Sequence, residues 1–76
     1  MTFLKFNRSR IKTYINVDQI TRIETFPLEN EGRIHIFTRD GRSYTVKVEK
    51  GKEDSIAELL IASFSKVISV DREGGQ

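Results

Sequence analysis

Seventy-six residues with 13 Lys and Arg against 11 Asp and Glu make a chain of formal charge +2, long enough for one domain with a modest core. The lack of cysteine excludes a disulfide framework and a thiolate metal site. No apolar run approaches the ~20 residues of a membrane helix, and MTFLKFNRSR lacks the apolar region of a signal peptide, so a cytoplasmic location is expected.

The charge is unevenly spread: residues 1–50 hold ten Lys or Arg against six Asp or Glu, and residues 51–76 hold three against five. Lys5, Arg8, Arg10 and Lys12 all precede the first acid, Asp18. Such a patch can meet phosphate or acidic lipid, although cations near a turn are more often simply solvated.

In chain order, Phe3-Leu4-Lys5-Phe6 reads as a short strand, Asn7-Arg8-Ser9-Arg10 as a turn, and Ile11 to Ile15 as a second strand, together a first antiparallel hairpin. Asn16-Val17-Asp18-Gln19 breaks the alternation and predicts a single helical or Asx turn. A strand resumes over Ile20 to Phe26, and Pro27, which has no amide to donate, ends it; residues 28–32 then form an exposed connection.

The stretch from Arg33 to Val48 is the most explicit. Apolar residues alternate before and after Asp40-Gly41 (Ile34 and Ile36, then Tyr44, Val46 and Val48), which marks a β-hairpin. A two-residue loop would oppose Ile36 to Thr45 and mix the faces. A three-residue loop of Arg39, Asp40 and Gly41, closed by Gly41 in the left-handed region, pairs Ile36 with Tyr44 and Ile34 with Val46. His35, Phe37, Ser43, Thr45 and Lys47 are then expected on a wet face, with Phe37 its driest point.

A polar run, residues 49–54, precedes Ser55-Ile56-Ala57-Glu58, which matches a capping box and predicts a helix starting at Ser55. Ile56, Leu59, Leu60, Ser63, Phe64 and Val67 form one apolar stripe, the expected cover for the sheet, with Lys66 complementing the helix dipole. Residues 67–70 fit either a helix tail or a sixth strand, and their β-branched content favours the strand. The expected organisation is one α+β domain over residues 1–70 with a disordered tail at 71–76: a small antiparallel β-sheet of about five strands and one C-terminal amphipathic helix packed on one face.

The inventory of chemistry is thin. The one histidine, His35, has no carboxylate or serine at useful spacing; the acids do not cluster as metal ligands, and Gly32, Gly41 and Gly51 are isolated turn glycines. The expectation is a protein that is not an enzyme and has no cofactor, metal or small-molecule substrate. Two function classes remain. The first is a protein-interaction or regulatory module that self-associates, since an open sheet leaves two strand edges. The alternative is nucleic-acid binding by Lys5, Arg8, Arg10, Lys12, Arg39, Arg42 and Phe37, because basic turns beside sheet aromatics suit base stacking.

The order of features from Thr13 to Phe64 resembles the FlbD/SwrD family of small bacterial flagellar and swarming-motility proteins. The similarity lies in Asn16, Asp18, Ile20, Ile23 and Glu24, in the hairpin residues Ile36, Asp40, Gly41, Tyr44 and Val46, and in Ser55, Ile56, Leu59 and Leu60. The connection through Pro27 and Gly32 is longer here, and residues 67–76 extend past the helix. The resemblance implies a regulatory or assembly protein without catalysis. The terminal Gly74-Gly75-Gln76 resembles the end of the prokaryotic ubiquitin-like modifier, a family that is acidic and disordered where this chain is patterned and slightly basic.

Overall fold

The computed structural model describes residues 1–70; the expected disordered tail, with its Gly-Gly-Gln end, lies outside the described residues. Five strands and one helix are present: β1 (Phe3–Arg8), β2 (Ile11–Asn16), β3 (Ile20–Pro27), β4 (Gly32–Thr38), β5 (Ser43–Val48) and α1 (Glu53–Ala62). The α+β class, the antiparallel strands and the helix on one sheet face are as the sequence predicts. The strands divide into a two-stranded sheet, β1-β2, and a three-stranded sheet in the order β3-β4-β5.

Local chemistry places each element. Arg8 pairs with Ile11 across a two-residue loop whose first member, Ser9, takes φ 57, a left-handed conformation unusual for a residue with a Cβ. Between the sheets, Val17–Gln19 form one 3-10 turn, capped by the Asn16 side chain, which accepts from the Asp18 amide at 3.0 Å. The Asx turn read from the sequence is therefore present, and it buries Val17. In β3 the register slips between Ile20 and Arg22, leaving Thr21 as an extra residue whose hydroxyl donates to the Phe37 carbonyl at 3.3 Å.

The central hairpin adopts the three-residue loop. Ile36 faces Tyr44 and Ile34 faces Val46, Gly41 sits at φ 83, and the Thr38 and Gly41 amides donate to the Arg42 and Thr38 carbonyls at 3.0 and 3.1 Å. Asp40 locks the loop by accepting from the Thr38 hydroxyl and, at 3.2 Å, from the Arg42 amide.

Ile34 and Ile36 are fully enclosed, at 0% exposure, and form the core with Ile15 and Ala57. Each contributes on the order of 2–3 kcal/mol by leaving water. Phe6 from the first hairpin and Ile56 from α1 pack on the same face, together with Tyr44, Val46 and Val48. One sheet face is thus shared between two covers, the helix and the β1-β2 hairpin.

The helix departs from the capping-box expectation in its start and its rotation. It begins at Glu53; Lys52 precedes it with helical backbone angles and no side-chain cap, and the Ser55 hydroxyl donates to the Lys52 carbonyl at 3.1 Å. The cause is Glu53, whose carboxylate folds back to accept from the Gly51 amide at 3.1 Å and is buried against Gly32. Asp54 accepts from the Thr25 hydroxyl at 2.6 Å and ties the same turn to β3. With that turn fixed, Ala57 is buried while Leu59 is 71% exposed, so Leu59 does not belong to the covering stripe.

The helix ends at Ala62, so Lys66 lies beyond it and does not complement its last turn. Residues 66–70 form neither the helix tail nor the sixth strand and leave Val67, Ile68 and Val70 exposed. Among the described residues, no helix is long and apolar enough to cross a membrane.

Candidate functional site

The seven residues singled out for nucleic-acid contact occupy three separate places. Lys5, Arg10 and Lys12 are exposed on the first hairpin, Lys5 lies 5.9 Å from the Tyr14 ring centroid, and the Arg8 backbone pairs beside the loop. Arg39 and Arg42 are exposed at the β4-β5 loop, where Arg42 lies 3.5 Å from Asp40. Asn7 and Ser9 face Lys47 at the far end of β5 from Arg42. At about 3.3 Å per strand residue, the loop end of the first hairpin therefore lies roughly 17 Å along β5 from Arg42, whereas Phe6, next to Lys5, reaches Ser43.

Phe37 stands in the third place, the open face of the β3-β4-β5 sheet. It is half-buried and lies outside the core, with the Arg22 guanidinium 4.1 Å from its ring centroid. Its neighbours there were not singled out from the sequence. Phe26 and His35 have ring centroids 4.5 Å apart, and His35 meets Phe37 edge-on at 6.5 Å. Only the β3-β4 register, which places Glu24 opposite His35 and Phe26 opposite Arg33, brings this row together. The charges beside it are matched: Arg22 lies 3.5 Å from Glu24, and Arg33 donates to Glu31 at 2.6 Å. That hydrogen bond holds the Glu31 carboxyl below its ordinary value.

A second feature is a free strand edge beside a cleft. The Thr38-to-Arg42 bond makes Tyr44, Val46 and Val48 the residues whose backbone groups engage β4. The amides and carbonyls of Ser43, Thr45 and Lys47 therefore point away from β4, where no strand is paired among the described residues. Beyond that edge lies a cleft walled by Phe6, Asn7 and Thr13 on the hairpin side, with Tyr44 and Val46 on the other. The opposite edge, on β3, is guarded by the irregularity at Thr21 and by Pro27, whereas β5 carries neither device.

The third feature is apolar surface. Leu59 and Val67 line a shallow groove with Asp54, Glu58 and Ala62, and Ile68 and Val70 continue past it at 76% and 82% exposure. Among the described residues, no three His, Asp or Glu side chains gather as a metal site. No family model, curated protein or solved structure matches the chain.

Proposed function

We propose that this chain is a non-enzymatic interaction module that acts by associating with itself. The observation that carries the proposal is the unguarded β5 edge, with the outward backbone groups of Ser43, Thr45 and Lys47 beside a partly apolar cleft. An edge of this kind is a template for another strand. The exposed Leu59, Val67, Ile68 and Val70 supply apolar surface to bury on assembly. The resemblance to the FlbD/SwrD family supports the same class, an assembly or regulatory protein. Sedimentation equilibrium tests it: the 8.8 kDa chain is expected to approach twice its mass as concentration rises, and a constant monomer mass at every concentration would refute self-association.

Nucleic-acid binding is a second reading, favoured by the Phe26-His35-Phe37 row with Arg22 over Phe37. It ranks lower because Arg22 and Arg33 already face Glu24 and Glu31 and because the loop end of the first hairpin lies at the far end of β5 from Arg42. Titration with short single- and double-stranded oligonucleotides at low and moderate salt decides it. Binding that falls steeply with salt and disappears in the Arg8→Glu, Arg10→Glu variant would establish it through the hairpin, and no binding at low salt would end it.

A further inference from the structure

Resting on the self-association reading, we propose the occupant of the cleft: residues 66–70 of a second copy, added as a strand along the free edge of β5. Two unfinished structures in one chain point to each other. The edge offers alternate amides and carbonyls at Ser43, Thr45 and Lys47 over five residues, about 17 Å. The segment Lys66-Val67-Ile68-Ser69-Val70 has the same length, and three of its five residues are β-branched aliphatics. Beyond Ser65, the described chain makes no backbone hydrogen bond, so the segment's own amides and carbonyls are as unpartnered as those of the edge.

The side chains match as well. In an extended strand Lys66, Ile68 and Val70 share one face, and Val67 and Ser69 share the other. Phe6, Tyr44 and Val46 give the cleft an apolar wall for Ile68 and Val70, with Lys66 at the end of the strand, and Ser43, Thr45 and Asn7 give it polar groups near Val67 and Ser69. The competing edge on β3 is the poorer template, since Pro27 has no amide and the Thr21 irregularity interrupts its spacing at the other end. Within its own chain Lys66 and Val67 border the shallow groove on α1, whereas Ile68 and Val70 extend past it at 76% and 82% exposure, and among the described residues none of 66–70 lines the cleft. Reciprocal exchange about a two-fold axis fills both clefts and closes the assembly at two copies.

Full-length variants test this by sedimentation equilibrium, with circular dichroism to confirm that each is folded. Ile68→Asp with Val70→Asp alters only exposed positions and is expected to raise the dimer dissociation constant at least tenfold. Thr45→Pro removes an outward amide of β5 and is expected to do the same. Mixing the two variants is expected to restore association in part, through one of the two exchanges, because one still has its edge and the other its segment. A tail variant that dimerises like the parent overturns the assignment of the occupant while leaving self-association standing, and it decides the matter even if Thr45→Pro does not fold. A parent chain that stays monomeric refutes the self-association reading itself. A monomer whose cleft is filled by its own segment, seen as concentration-independent protection of the Thr45 amide that the tail variant abolishes, overturns the exchange between copies.

Discussion

Gly32 and Glu53 show how a single atom's worth of space positions an element. Gly32 is buried at the start of β4, and a Cβ there would meet the Glu53 carboxylate and the Val48 side chain. Gly32→Ala should therefore displace Glu53 from the Gly51 amide and cost about 1–3 kcal/mol, a large share of the roughly 4–11 kcal/mol available to a chain of this length. Urea denaturation followed by far-ultraviolet circular dichroism checks this, and an unchanged midpoint would contradict the packing. Asp40 gives a pH-dependent counterpart. The Thr38 hydroxyl, and after it the Arg42 amide, hold its carboxyl below the ordinary 3.8, so its contribution is complete above that value and lost as pH falls through the lower folded value. Asp40→Asn keeps an acceptor for the loop but removes the charge, and thermal melts should show a shallower loss of stability on the acid side than the parent. Asp40 and Gly41 were readable from the sequence because their partners lie within four residues. Glu53 was not, because its burial depends on Gly32, more than twenty residues away.

At the scale of elements, two-residue parity carried the strands, whereas the three- and four-residue spacing misled on the rotation of the helix. Two-residue alternation admits only one register that keeps Ile34, Ile36, Tyr44 and Val46 together, and that register is present. A helix with apolar residues at 56, 57, 59, 60 and 61 offers more than one stripe, and its rotation is chosen by what it packs on. Here Glu53 and Asp54 anchor the first turn, which brings Ala57 inward and sends Leu59 out. A pair of substitutions measures that rotation. Leu59→Ser is expected to change stability by less than about 0.5 kcal/mol, whereas Ala57→Leu is expected to cost about 1–3 kcal/mol through overpacking against Ile34 and Ile36. The reverse order in chemical denaturation would restore the stripe through Leu59. The capping-box motif at Ser55 did not predict the start because it reads only short-range bonds, whereas the first turn is set by Glu53, two residues earlier, bonded to the Gly51 amide and buried against Gly32 of β4.

For the whole molecule, the α+β class and the strand pairs followed from local pattern, but the division into two sheets did not. It depends on how the β1-β2 hairpin leans on the face around Ile34 and Ile36, and it leaves β5 with an unpaired edge beside a cleft. The same arrangement explains why the cations chosen from the sequence do not form one patch: closeness along the chain grouped Lys5 to Lys12, while the run of β5 holds the hairpin's loop end away from Arg42. The aromatic row of Phe26, His35 and Phe37 became visible only through the β3-β4 register. The account depends most on β5 being the edge along which copies meet. Amide hydrogen exchange by NMR across a concentration series reads that edge residue by residue. The amides of Tyr44, Val46 and Val48 should be protected at every concentration, whereas those of Ser43, Thr45 and Lys47 should exchange freely when dilute and become protected as the chain associates. Free exchange at Thr45 and Lys47 in the associated state would show that copies meet elsewhere.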